Sequence, residues 1–290
     1  MKYAASLAFA LLALFAGAAA EEAAEIRTPP PLEPYARFAS KVIDESSGLV
    51  KSRLHEGAYW THNDSGDEAR LFAVTRDGAL AGPAWAGERG LSIGGAVNID
   101  WEDIATDDQG FLYIGAFGNN GNARRDLAVY VVPEPHPAHQ SQTRVLKTLP
   151  FAYPDQTAFP PAQRNFDCEA LFHARGKLYF LTKRRSDTLT KLYRLDTKYV
   201  HKVNTLTLID SHDVGGMVTA ADALPDGGKI AVLTYESVWI FERPADSDNY
   251  LAGLSRRLPI RAGQCEAICW DGPDTLIVTN EQGGLFEIEL

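Results

Sequence analysis

The sequence predicts an all-β fold, a five-bladed β-propeller, on three observations. Short runs such as "AYWTHND", "FLYIGAFG", "KLYFLTK", "KIAVLTY" and "TLIVTN" are rich in β-branched and aromatic residues, and Gly, Asp, Asn and Pro punctuate them. One unit, a polar residue followed by a turn and paired strands, is written five times, about every fifty residues, which is the spacing of propeller blades. The two ends of the chain also supply strands that complete one blade. A β-sandwich would use similar strands, but it gives no reason for a recurring leading polar residue.

The chain opens with "MKYAASLAFALLALFAGAAA": one Lys, an apolar run, then small residues. Residues 1–20 therefore read as a secretory signal peptide. The run is short for a membrane span, and no later segment reads as one. An exported protein, periplasmic or secreted, is expected. Residues 21–34 are rich in Ala, Glu and Pro and read as a mobile leader. Residues 35–290 read as a single propeller domain.

The first unit is "SSGLVKSRLHEGAYWTHNDSGDEARLFAVTRDG" and the second "WEDIATDDQGFLYIGAFGNNGNARRDLAVYVV". The third is "CEALFHARGKLYFLTKRRSDTLTKLYRLDT", the fourth "ADALPDGGKIAVLTYESVWIFERP", and the fifth "CEAICWDGPDTLIVTNEQGGLFEIEL". "RVLKTLPFAY", "TLTLIDS" and "SRRLPIR" follow units two to four and read as outer strands. Unit five ends one strand short, and "EPYARFAS" at 33–40 can supply it, closing the ring and protecting open sheet edges. A sixth blade would have to hide in 133–163, where Pro and His are too frequent for three strands.

The leading residues are Ser47, Glu102, Glu169, Asp222 and Glu266. In "VTAADAL" Thr219 and Ala220 compete with Asp222 for that place. The first strand of each blade lines the central channel, so a residue recurring at one register recurs around the axis. Converging carboxylates repel, and a cation removes the penalty. An all-oxygen ring of variable geometry suits Ca²⁺ better than Mg²⁺. Without a metal, the same acids would be held by backbone N–H groups.

The second strand runs back, so its end reaches the face where the first begins. Asn63, Asp64, Asn119, Asn120, Lys183, Arg184, Arg185, Tyr235, Glu236, Asn280 and Glu281 collect there, joined by Asp100 and Gln264. Asp64 is placed to orient or deprotonate a water. The cations of "KRRSD" suit a phosphate or carboxylate. Asn63, Asn119, Asn120, Tyr235, Asn280 and Glu281 are candidate substrate contacts.

The formal charge of −10 argues against nucleic acid polymers and leaves small anions held through a cation. Cys168, Cys265 and Cys269 have neither zinc spacing nor an even count and read as buried thiols. "GLSIG" at 90–94 fits a nucleophile-elbow pattern but lacks the helix that pattern needs. The seven His show no metal spacing, and the sequence names no protein partner.

These residues resemble the calcium-activated nucleotidase (apyrase) family of secreted five-bladed propellers, in which Ser and Glu from successive blades surround one calcium. Ser47, Glu102, Glu169 and Glu266 match that order, with Asp222 in the fourth place. "NDSGDEARLF" stands at the family's Asp-Asp-Arg-Thr-Gly turn, with Asp64 at the second acid and Ser65 where the family has Arg. "WEDIATDDQGFLYIGAFGNN" is similar to its second blade, with Asn119-Asn120-Gly121 where the family has Lys-Glu-Trp. "CEALFHARGKLYFLTKRRSD" is similar to its third. The chain also resembles exported bacterial propellers of the phytase-like, esterase-like kind. The resemblance implies a Ca²⁺-dependent hydrolase of phosphoanhydrides or phosphoesters. The residues alone equally allow a non-catalytic ligand- or protein-binding propeller with a structural metal, or an esterase or lactonase.

Overall fold

A computed structural model describes residues 29–290. The expected signal peptide and most of the expected leader lie outside the described residues. Strand pairing groups the described residues into five sheets, each with four antiparallel strands, and two of them carry a short fifth strand added parallel at the outer edge. The protein is a five-bladed β-propeller.

Blade 1 comprises Ser46–Lys51, Tyr59–Asn63, Arg70–Val74 and Leu91–Gly94. Blade 2 comprises Ile104–Thr106, Phe111–Ala116, Ala128–Pro133 and Lys147–Ala152. Blade 3 comprises Asp167–Ala174, Lys177–Lys183, Leu189–Leu195 and Thr207–Asp213. Blade 4 comprises Val218–Ala223, Lys229–Thr234, Ser237–Glu242 and Ser255–Pro259. Blade 5 comprises Cys265–Trp270, Thr275–Asn280 and Gly284–Glu289. Ala36–Arg37 adds to it antiparallel, with Ala36 opposite Leu285. The N-terminal strand thus closes the last blade, as the sequence predicts. Closure starts earlier than residue 35, since Leu32 N donates to Arg261 O at 2.7 Å.

The stretch 133–163 is not a sixth blade. It crosses to blade 1, where Gln142–Arg144 pairs parallel with Leu91–Gly94, and returns as the outer strand of blade 2. "GLSIG" is that outer strand of blade 1, with no helix after it. The only helical pieces among the described residues are two 3₁₀ turns, Ala84–Ala86 and Tyr250–Ala252. No described helix is long and apolar enough to cross a membrane.

Each pair of neighbouring blades encloses one apolar cluster. Trp60 and Trp101 fill the one between blades 1 and 2. Phe117, Phe151 and Phe180 fill the next, and Phe172, Tyr179 and Tyr250 the one after. Leu233 meets Ile268 between blades 4 and 5, and Tyr59 meets Ile277 across the closure. Burying each such side chain stabilises the fold by about 1.5–3 kcal/mol. Blade faces are therefore dry, and polar chemistry is pushed to the axis and its ends. All three cysteines are buried free thiols within these packed strands.

Candidate metal centre

The inner strand of every blade starts with the same irregularity. Ser46 pairs with Asn63 and Gly48 with His62, leaving Ser47 unpaired between them. Glu169, Thr219 and Glu266 are the unpaired residues at the corresponding steps of blades 3, 4 and 5. In blade 2, Glu102 N donates to Gly115 O while Gly115 N donates to Asp103 O, again two residues against one. Such bulges re-aim side chains at strand ends. The ring at the channel mouth is thus Ser47, Glu102, Glu169, Thr219 and Glu266.

Asp222 is not on this ring, which corrects the sequence expectation and settles the open choice in "VTAADAL". It lies three residues further along its strand, towards the opposite end of the channel. Its carboxylate accepts from Ala223 N at 2.8 Å and, in blade 5, from Trp270 N at 3.0 Å. Asp103 plays a related part deeper in the axis. It accepts from Ile104 N at 2.8 Å, Leu171 N at 2.8 Å and Ala221 N at 3.2 Å, tying blades 2, 3 and 4 together. These two acids match the metal-free alternative of carboxylates held by N–H groups.

The mouth acids fall into two triads that share Glu102. Ligand oxygens of Asp64, Asp100 and Glu102 all lie within 4.8 Å of one another, and so do those of Glu102, Asp167 and Glu169. The second triad is compensated. Arg185 Nη2 reaches Asp167 at 2.7 Å and Glu169 at 3.7 Å, and Lys183 Nζ reaches Glu169 at 3.1 Å. Asn119 N also donates to Asp167 at 2.7 Å. Tyr235 donates to Glu266 at 2.8 Å and lends its ring to Lys183, 5.1 Å from the centroid.

The first triad has less support, with no ion pair to any of its three acids among the described residues. Asp64 accepts from Ser65 N at 2.6 Å, and Arg124 lies close enough to Asp100 to favour its ionised form. Arg124 is itself bonded to Gly118 O at 2.6 Å and Asp126 at 3.1 Å. Glu102 is 5% exposed, and its carboxylate has no hydrogen-bond or ion-pair partner among the described residues. Gly118 leaves the space the carboxylates occupy: a Cβ there would lie 2.1 Å from Glu102 Oε1 and 2.5 Å from Asp100 Oδ2.

Burial, and then the neighbouring acids, push the Glu102 carboxyl well above its ordinary range. Burial raises Asp64 to about 7, with Asp100 and Glu266 adding to it. Asp100 is raised by burial and by Asp167. Glu169 is raised by burial and Asp167, against the pull of Lys183. For Lys183 itself burial works downwards, but Glu169 and Glu266 outweigh it and the ammonium is held. The acids of this mouth therefore favour holding protons over ionising together. The donors are all oxygen, from carboxylates and hydroxyls. The Thr219 hydroxyl is buried with no partner. That set fits a hard cation.

Of the other predicted residues, Lys183, Arg185 and Tyr235 join the cluster, but Arg184 turns away to Asp187 at 2.6 Å. Arg184 is the first residue past the strand Lys177–Lys183, and the chain bends at Arg185, which sends the two guanidinium groups to different partners. Asn63 bonds Val42 O, Asp44 and Asp67, and Asn280 bonds Ala262 O and Gly284 N, so both hold turns. Asn119 accepts from Arg124 N and donates to Phe166 O, Asn120 accepts from Arg185, and Glu281 accepts from Gln264. Sequence reasoning missed Asp167 and Arg124. Asp167 had a signal, because "DCEA" places a second acid two residues before Glu169.

No protein-family model matches the chain, and no curated protein matches it. Among solved structures it is similar to the β-propeller domain of Cps50 (Swd1) from Myceliophteria thermophila. Identity is 11%, covering 84% of this chain and 83% of that one, with a TM-score of 0.46. The five-bladed architecture stands on the strand pairing itself.

Proposed function

We propose that this protein is an exported, cation-dependent propeller that holds Ca²⁺ at the channel mouth and hydrolyses a small phosphoanhydride or phosphoester. The observation that carries the reading is the buried, unpartnered Glu102 carboxylate between two other acids. Asp64, Asp100 and Glu102 would hold the ion, with Ser47 and Thr219 as further oxygen donors. The order of ring residues, similar to that of the calcium-activated nucleotidases, supports the same reading. Calcium is preferred over magnesium because the donor set is irregular and rich in carboxylates. When bound, such a cation neutralises the acids and polarises a phosphoryl oxygen.

The chain's own residues would do the rest. With the cation bound, Asp64 would be ionised and would orient the attacking water by accepting its hydrogen bond; its raised pKa of about 7 belongs to the metal-free mouth. Lys183 and Arg185 would meet the substrate's negative charge, exchanging part of their contact with Glu169 and Asp167 for it. Calorimetric calcium titration of EDTA-stripped protein, followed by phosphate-release assays, tests this. One calcium site that weakens in Glu102→Gln, with calcium-dependent phosphate release, is the expected result. A folded protein that binds no calcium would sink the proposal.

One observation favours a second reading, a non-catalytic binding propeller with a structural metal. Lys183 and Arg185 are already engaged by buried acids, Glu169 and Asp167. Calcium binding without turnover of any phosphate or ester substrate would select that reading. Turnover of carboxylic esters or lactones alone would select the esterase alternative.

A further inference from the structure

The far end of the channel holds a different kind of site. Where the inner strands of blades 1, 2, 4 and 5 end, they surround a cavity of about 630 Å³. This is within the size range of small-molecule sites. Val50, Leu224, Pro225, Trp270 and Pro273 give it apolar walls, and Arg53 lines it. Asp222 lines the inner end of this cavity, and Asp103 lies between it and the acidic mouth.

The acids around the cavity are internally satisfied, with one exception. Asp222 is held by two backbone N–H groups. Asp271 takes Lys51 at 2.8 Å, Arg76 at 2.7 Å and Tyr59. Asp226 accepts from Gly228 N at 2.8 Å. The exception is the partner of Arg53. The Arg53 side chain is only 15% exposed, yet its one ion pair is with Asp108, at 2.8 Å, whose side chain is 71% exposed; the buried Asp222 feels its charge without a direct contact. A surface ion pair of this kind contributes little and exchanges readily. The rest of the guanidinium fork has no hydrogen-bond partner among the described residues. A planar fork beside apolar walls is suited to a carboxylate on an apolar body.

We propose that this cavity is a second ligand site, for a small, largely apolar molecule bearing one carboxylate. Arg53 grips the carboxylate in place of Asp108, and Trp270, Leu224 and Val50 pack the body. The site is independent of the cation at the mouth. Calorimetry on the full protein with naphthalene-1-acetate and its neutral amide tests it. The acid should bind at least about tenfold tighter than the amide, the scale of a charge-assisted fork. Arg53→Gln should abolish that preference in a protein whose circular dichroism is unchanged. Asp108→Asn, at the exposed rim, should tighten the acid by roughly two- to fivefold because it removes the competitor. Glu102→Gln should leave binding as it is. The proposal is overturned if neither ligand binds, if the amide binds as well as the acid, or if the preference survives Arg53→Gln. It is also overturned if Asp108→Asn leaves the acid's affinity unchanged, or if Glu102→Gln abolishes binding.

Discussion

Glu102 and Asp103 are adjacent in the sequence and equally buried in practice, yet they do opposite things. Asp103 accepts three backbone N–H bonds from three blades. Glu102 accepts none and faces other carboxylates. Strand alternation and the bulge aim one acid into the axis and the other at the mouth. Asp103 acts as a tie between blades, whereas Glu102 is a destabilising feature of the fold, one that the proposed cation would relieve. Burial raises both carboxyls, but only for Asp103 do N–H donors pull back. An unfavourable buried group without a local remedy is the better pointer to function.

The comparison breaks most sharply by deleting each acid. Asp103→Ala should cost about 3 kcal/mol or more in urea denaturation, because it leaves buried N–H groups unpaired in three strands. Glu102→Gln in metal-free protein should be neutral or stabilising. Comparable losses from both would erase the distinction.

Calcium should then separate the two ends of the channel. Glu102→Gln and Asp64→Asn are expected to weaken calcium by about thirtyfold or more, roughly 2 kcal/mol by affinity arithmetic. Asp222→Asn, at the other end, should leave calcium affinity unchanged. A loss at Asp222 equal to that at Glu102 would return it to the metal ring.

The pH dependence sharpens the same contrast. Asp64 has a pKa of about 7 in the folded protein and 3.8 as its ordinary value. Between these values the folded state binds more protons than the unfolded state. Stability of the metal-free protein should therefore fall as pH rises through that window, by roughly 2 kcal/mol between about pH 5 and pH 8. Saturating calcium should flatten the slope, since the ion takes the place of the protons. A metal-free protein that becomes more stable over the same range would contradict the raised pKa of the mouth.

The smallest effect is expected at Gly118. Gly118→Ala puts a methyl where the Glu102 and Asp100 carboxylates stand. Side-chain ends can move aside, so stability should change by less than about 1 kcal/mol, while calcium affinity falls roughly fivefold. Unchanged affinity would mean that those carboxylates do not need their present positions.

Much of this protein is legible in its residues. Strand runs, five repeats, ring closure by the N-terminal strand and four of the five ring positions follow from alternation and spacing, which are local properties. "VTAADAL" shows where that stops. Its acid suggests Asp222, but the unpaired step of the strand belongs to Thr219, and a bulge is decided by which backbone groups the next strand pairs. Arg184 parts from Arg185 because the strand ends at Lys183 and the chain bends there, which a run of like cations does not reveal. The Asn residues at the strand ends read as contacts because turns and binding faces use the same polar side chains.

The sequence by itself determined the fold, because a repeated apolar pattern has few ways to bury its faces. It also determined that acids gather on the axis. Only the tertiary structure decided which of those acids are satisfied. Asp103 reaches N–H groups of residues 171 and 221, and Asp167 and Glu169 meet Arg185 and Lys183, while Glu102 meets no donor. Whether a buried charge is a structural tie or a candidate ligand contact depends on partners from other blades, and one strand's sequence does not contain them.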